Sequence, residues 1–478
     1  MNSLNDAHSG IFWSALSRIT IHIFQLITLI ILARLLEPAE FGLITSSIVV
    51  IGFLNIFRDL GVASAIIQKL SVNDKLLSSV YWIVVTIGVT MNILLFFSAP
   101  LIADFYNAKE LTNILKLLSF NFSITSTTVI HQTLLEKELK FKQIATYEMI
   151  AIIVSSVCAI ILAYMGFGVW SLVLQNLVNA VSLSIILWIK STYRPNLLFS
   201  FPEIKSIFKF SINLSGFNIL NYFVRNSDYI LIQKYLGAQP LGYYNIAYRI
   251  MLYPLQNITS VFSRVMFPLY SKLQSEHSKL KDMYVQLVNN IAILSFPLML
   301  WITATADILV MSLLGEKWKS IIPLILILAP IGMIQSIYTS AGTIYQAKGR
   351  TDIWFKWGIV TGIIFISSFI IGLKWGITGV AVGYLIANLI TIYPGLLIPF
   401  NLIDLKVKSF LLSFRRTFLI SLIMSLFIYI IKKSLFNYMT SIELLIVLIV
   451  LSLLFYIPVS LKFNRQRTSE FLTILKSF

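Results

Sequence analysis

Two stretches of this chain place polar and cationic side chains at helical spacing inside otherwise apolar sequence. Arg18, His22 and Gln25 step by four and three residues, so on a helix they share one face. A shift of 200 residues lands on Asn218, Tyr222 and Arg225, where the stripe is longer: Ser211, Ser215, Asn218, Tyr222, Arg225 and Tyr229. Asp228 lies three residues beyond Arg225, within reach of an ion pair. The chemistry such faces offer is a grip on an anion. Arginine presents a planar fork of donors that matches phosphate oxygens in pairs. The plainer alternative is polar glue between helices.

Five further ionisable residues fall inside apolar runs. Arg249 and Glu148 each sit about two turns in, and Glu148 could take up a proton or an ion. Arg58-Asp59 lies near the end of its run, where Arg58 could snorkel to headgroups, and Arg264 has the same standing. His131 reads as a polar helix end. Five arginines against Asp59, Glu148 and Asp228 leave these runs net positive, which suits an anion such as a phosphate and not a cationic drug.

The elements that carry these residues follow from composition. The chain of 478 residues is 58% hydrophobic and only 12% charged, with a mean hydropathy of +0.85. Soluble domains carry about 25% charged residues. Crossing about 30 Å of hydrocarbon takes ~20 apolar residues, and such runs recur to the end of the chain. The expectation is an all-α polytopic membrane protein. Cys158 is the single cysteine, so neither a disulfide framework nor a cysteine-based metal site is expected; no metal or other cofactor is implied. The first run, Ile11 to Leu36, is too long for a signal-peptide core, contains Arg18 and lacks a following small-residue cleavage site, so it reads as a retained helix.

Hydropathy and turn residues predict fourteen spans, near 11–33, 41–63, 78–102, 112–134, 142–164, 167–189, 207–234, 241–268, 284–306, 320–345, 353–374, 377–400, 412–431 and 442–461. Most Lys and Arg then fall on one set of connections, including Lys137, Lys140 and Lys142, then Lys272, Lys279 and Lys281, then Arg415 and Arg416. Basic loops stay inside, so both termini are expected in the cytoplasm. The net charge of +17 is thereby spread over inner loops and gives no nucleic-acid footprint. Tryptophans such as Trp82, Trp188 and Trp301 lie near predicted span ends, as interfacial anchors do.

A repeat organises the spans. "ARLLEPAEFGLITSSIVV" (Ala33 to Val50) and "QKYLGAQPLGYYNIAYRI" (Gln233 to Ile250) are polar, Pro-containing turns between long segments. Leu36 pairs with Leu236, Gly42 with Gly242, and Arg34 with Lys234. A second pair of landmarks matches Gly168-Val169 to Gly379-Val380. The expected organisation is a six-helix lobe over 1–200, a second six-helix lobe over 201–405, and accessory helices 13 and 14 with a cytoplasmic tail over 406–478. An even number of spans per lobe makes a parallel repeat about a pseudo-two-fold along the membrane normal, an architecture that transporters use to enclose a cavity.

Several segments resemble the Wzx-type polysaccharide transporter family of the multidrug/oligosaccharidyl-lipid/polysaccharide (MOP) exporter superfamily. They are "ARLLEPAEFGL", "FRDLGVASAIIQK", "GFGVWSLVLQNLV", "NSDYILIQKYLGAQPLGYYNIAYRI" and "FPLYSKLQSE". They cover mainly spans one, two and six to eight, and are most similar to the branch handling colanic-acid-like and teichuronic-acid-like polymers. The resemblance implies a MATE-like fold and a flippase. Its substrate would be a polyprenyl-pyrophosphate-linked oligosaccharide, turned from the cytoplasmic to the outer leaflet for exopolysaccharide, O-antigen or capsule assembly. It further implies that Arg18, Arg225 and Arg249 contact pyrophosphate or acidic sugars, beside His22, Gln25, Asn218 and Tyr222. Asp59, in the matching "RDLG" segment, would be structural or gating. Coupling to H+ or Na+ through Asp228 or Glu148 is a further expectation, with a polysaccharide polymerase and a chain-length regulator as partners beside membrane lipids.

Three other readings compete. A MATE-type cation-coupled drug exporter should have acidic spans, and a lipid II flippase would share fourteen spans and a cationic cavity. A membrane polymerase or glycosyltransferase needs a catalytic group on a long polar loop, and no connection here much exceeds fifteen residues or carries a metal-ligand or Gly-rich phosphate pattern. The expectation is therefore no enzyme activity.

Overall fold

The structure, a computed structural model, describes residues 20–59, 66–67, 72–272 and 276–464. Side chains at 59, 201–218, 253, 257, 259–275 and 277 are outside that description, and Arg18 lies outside it altogether. The described chain forms two compact units, Met1–Gly242 and Tyr243–Phe478.

The first unit contains α1 (Thr20–Leu35), α2 (Pro38–Asp59), α3 (Asp74–Phe105), α4 (Leu111–Ser126), α5 (Val129–Lys137), α6 (Phe141–Tyr164), α7 (Val169–Lys190) and α8 (Phe201–Leu236). Local chemistry sets the starts. Pro38 opens α2, and the Glu40 carboxylate turns back to accept the Glu37 N–H at 2.7 Å. Asn73 caps α3, its side-chain oxygen accepting from the Leu76 N–H at 2.8 Å. Hydroxyls inside the helices donate mostly to their own backbone, as Thr45 does to Phe41 and Thr86 to Trp82. That pairing lets Ser and Thr sit in hydrocarbon. α3 packs on α4, α6 on α7, and α2 on α8.

Loops separate to the two ends of this unit as alternating spans require. At one end the Lys234 ammonium donates to the Phe105 carbonyl, and Gly168 abuts the Glu40 carboxylate. At the other, Lys137 donates to Ile66 O at 3.2 Å, and His131 Nδ1 pairs with Ser191 Oγ at 2.8 Å. There the segment 191–200 is strapped along the start of α3. Trp82 Nε1 donates to Asn196 O (2.9 Å), while the N–H groups of Asn196 and Ser200 donate to the hydroxyls of Ser78 (3.1 Å) and Ser79 (2.8 Å).

The second unit continues α9 (Ala238–Lys272) and adds α10 (His277–Leu313), α11 (Ile322–Tyr338), α12 (Gly342–Ala347), α13 (Thr351–Gly372), α14 (Gly376–Phe400), α15 (Val407–Ser413), α16 (Arg415–Leu435) and α17 (Ser441–Phe463). α10 is its hub, packing against α11, α16 and α17. Tyr284, Phe400, Phe410 and Phe414 form an aromatic core. A capping box, Thr440 with Glu443, starts α17. Outward-facing side chains such as Ile390, Leu419 and Leu454 are large and apolar, a surface suited to acyl chains.

Among the described residues, nine helical stretches are long and apolar enough to cross a membrane. Fourteen crossings were expected. The expected fourth span breaks at Thr127-Thr128 between α4 and α5, while the expected eleventh and twelfth are the two helices α13 and α14, packed on each other across a short turn at Leu373–Trp375 within the one apolar stretch Thr351–Phe400. Only 16 residues of the first, Thr20–Leu35, are described, and α8 and α9 are long but carry more polar residues.

An ion pair ties α16 to α10. Lys432 Nζ donates to both Asp307 carboxylate oxygens (2.9 and 3.1 Å) and to Ala304 O (2.9 Å), and lies over the Tyr429 ring. The Lys432 side chain is 11% exposed and that of Asp307 is 42%. Lys432→Met should destabilise the second unit by about 1–2 kcal/mol, less than a fully buried pair because water reaches Asp307. Unfolding of the detergent-solubilised chain, in a cycle with Asp307→Asn, measures it. Additive losses would mean the two groups do not interact.

Candidate functional site

The two repeated turns meet in the first unit, and the meeting is reciprocal. A Cβ built on Gly42 would lie 1.8 Å from the Ala238 carbonyl oxygen, and one on Gly242 would lie 1.8 Å from that of Pro38. Residues 38 and 238, and 42 and 242, are counterparts in the 200-residue register. Each contact is thus the other with the copies exchanged, as a two-fold relation between the turns demands. Only glycine lets two backbones approach this closely. Ser46 Oγ then donates to Gln233 Oε1 at 2.8 Å, joining α2 to α8.

Further along α8 the polar stripe divides. Tyr222 is packed: its hydroxyl donates to Val49 O at 2.6 Å and fills the space above Gly52. Its ring lies 6.3 Å from Phe53. Asp228 is buried at 4% exposure, and its Oδ1 accepts the Tyr229 N–H at 2.8 Å. Arg225 is exposed. The expected Arg225–Asp228 ion pair is therefore absent: among the described residues none joins them, because the carboxylate turns into the packed face and the guanidinium away from it.

Arg225 lies eleven residues before the end of α8, about 16 Å along the helix axis, or roughly half the hydrocarbon thickness. Its register partner Gln25 is also exposed and lies ten residues before the end of α1, about 15 Å. The two register partners thus stand at similar distances from their helix ends, and both are exposed. His22 on α1 is half-buried. Asn218 falls in α8 and Asp59 ends α2, but both side chains lie outside the described residues, as does all of Arg18. Glu148 is half-buried, two turns into α6.

Arg58 makes a contact inside the bundle. It is half-buried, and its Nη1 donates to Thr125 Oγ1 on α4 at 2.8 Å. Thr125, 67 residues away, gave no signal in the sequence.

In the second unit Arg249 is exposed, eleven residues into α9, again about 16 Å along its own helix. Beside it in sequence, Tyr248 joins a partly buried polar cluster that sequence reasoning missed. Its hydroxyl lies 3.2 Å from that of Tyr384, to which Gln335 also donates. The tyrosines stand on α9 and α14 and the glutamine on α11, so only folding brings them together. Among the described residues no group of three His, Cys, Asp or Glu could hold a metal ion.

Among the described residues, nearly all-helical structure with nine stretches long and apolar enough to cross a membrane defines an all-α polytopic membrane protein. The chain belongs to the family described as "Polysaccharide biosynthesis protein", which matches residues 31–323. It is 29% identical over 418 residues to the lipopolysaccharide biosynthesis protein WzxC of Escherichia coli K12, covering 87% of this chain and 85% of that one. Its fold is similar to that of the lipid II flippase MurJ in an inward closed conformation, with a TM-score of 0.77 and 19% identity over 95% of this chain and 99% of that one. It is also similar to an inward-facing multidrug resistance MATE family transporter of the MOP superfamily, with a TM-score of 0.66 and 16% identity over 82% and 98%. Family and fold are those the motifs led us to expect, a Wzx-type member of the MOP superfamily. The match ends at 323, and the quoted motifs likewise leave the last third of the chain uncovered.

Proposed function

We propose that the chain is a flippase that carries a polyprenyl-pyrophosphate-linked oligosaccharide repeat unit from the cytoplasmic to the outer leaflet by alternating access. One observation supports this above the others: Arg225 is exposed eleven residues before the end of α8, about 16 Å along a helix expected to lie in the membrane. A charge there costs about 3 kcal/mol or more on insertion scales, so it belongs in a wet cavity and not against acyl chains. Its guanidinium offers paired donors to the oxygens of a pyrophosphate. The headgroup would enter from the cytoplasm with its tail left in lipid, and binding would shift the equilibrium by its different affinity for the two states. Basic loops on one set of connections favour cytoplasmic termini. Glu148 is the better placed carrier for a coupling H+ or Na+, because Asp228 is buried on a backbone N–H.

Cysteines at Gln25 and Arg225, in a Cys158→Ser background, should react with membrane-impermeant thiol reagents. Labelling should fall when lipid-linked oligosaccharide accumulates. Protection of both positions from either side would place them in packed protein and remove the cavity. The fold shared with MurJ makes lipid II a second reading, and growth of a strain depleted of its own lipid II flippase separates the two substrates.

A further inference from the structure

We propose that the second unit carries a binding site for an anionic phospholipid, in the cleft between the end of α14 and α15. The site rests on the membrane reading of the chain and not on the flippase reading. The cleft has a volume of about 900 Å³; Tyr393, Leu397 and Leu411 give it an apolar wall, and Asp404, Lys406 and Lys408 also line it. Its construction follows from the sequence. Asp404, with φ +53°, reverses the chain after α14. Val407, Phe410 and Phe414 then turn inward. Phe410 lies 4.8 Å from both Phe400 and Phe414, and 5.8 Å from Tyr284. The short helix is therefore fixed, and the cleft is formed before any ligand arrives.

What remains outward is both apolar and cationic. Tyr393, Leu411 and Leu412 are 59%, 45% and 52% exposed. They continue the outward face of α14, where Ile386, Leu389 and Ile390 are also exposed. Acyl chains lie against that face in a membrane, so the cleft opens to lipid. Lys406, Lys408, Arg415 and Arg416 are all exposed, and none has an ion-pair partner among the described residues. Only Asp404 offsets them on this segment. A cation cluster at the edge of an apolar cleft, on the end of the chain expected in the cytoplasm, complements a lipid phosphate above its acyl chain. A water-soluble anion would leave the leucines and the tyrosine wet, and a zwitterionic lipid would leave the cations unmatched.

The test uses the full chain purified in detergent, titrated with dioleoylphosphatidylglycerol, dioleoylphosphatidylcholine or inorganic phosphate, and read as the shift in melting temperature. Only phosphatidylglycerol should raise it. Lys406→Gln should weaken the apparent affinity about fivefold, and the double variant with Lys408→Gln about 25-fold, from the typical contribution of a lysine at an anionic surface. Leu397→Ser should weaken it with every charge retained. A double variant that melts early without lipid is replaced by the single one, which carries the same prediction. A full shift with phosphatidylcholine, a shift with phosphate alone, or an unchanged response in Lys406→Gln would each overturn the proposal. Arg225→Ala should keep the phosphatidylglycerol shift even if it stops export, which separates this site from the flippase reading.

Discussion

If the chain is the proposed flippase, Arg225→Ala should stop polymer export while the protein still reaches the membrane. The side chain is exposed, bears no ion pair among the described residues, and stands about 16 Å from the end of α8. Its removal leaves no buried partner charge stranded, so folding should be spared. What is lost is a charged donor pair, of which each hydrogen bond contributes about 1.5–3 kcal/mol, or roughly 10- to 150-fold in affinity for the headgroup per bond. Arg225→Lys should keep part of the export, because an ammonium holds the charge but not the planar fork. Arg225→Glu should be as inactive as alanine. Surface polymer, measured against the amount of protein in the membrane fraction, reports all three. Normal export by the alanine variant would remove the cationic cavity from the mechanism.

Gly42→Ala and Gly242→Ala should each destabilise the first unit by about 3 kcal/mol, at the upper end of the overpacking range. The clash in each case is with a backbone carbonyl, of Ala238 or of Pro38, that no rotamer change can move aside. The reciprocity of the contact makes a sharper statement. One displacement of the turns relieves both clashes, so the double variant should lose clearly less than the sum of the singles. Losses that simply add, measured by unfolding of the solubilised chain, would show that the two contacts are independent.

Much of this architecture could be read from apolar runs alone, because hydrocarbon allows so few solutions for a backbone. The turn repeat was legible for a related reason. Gly42 and Gly242 are small because their counterparts approach them, and that constraint leaves a mark on sequence. Register along one helix was legible too: Gln25 and Arg225 share depth and exposure. Which neighbour a face meets was not. Tyr222 stands in the same stripe as Arg225 yet is spent on the Val49 carbonyl, since α2 covers one side of α8 and not the other. Lys432 and Asp307 are 125 residues apart, and each reads singly as an ordinary loop-end charge. The Tyr248, Gln335 and Tyr384 cluster is hidden in the same way, by helices that come together only in the folded chain.

The strap over 191–200 bears on biogenesis. Its hydroxyl and indole partners, Ser78, Ser79 and Trp82, precede it by 114 to 121 residues. They have therefore left the ribosome long before the strap emerges. The amino-terminal helices can be fastened together at that edge while the remainder of the polypeptide is still being synthesised, so insertion into the bilayer need not wait for the carboxyl-terminal half.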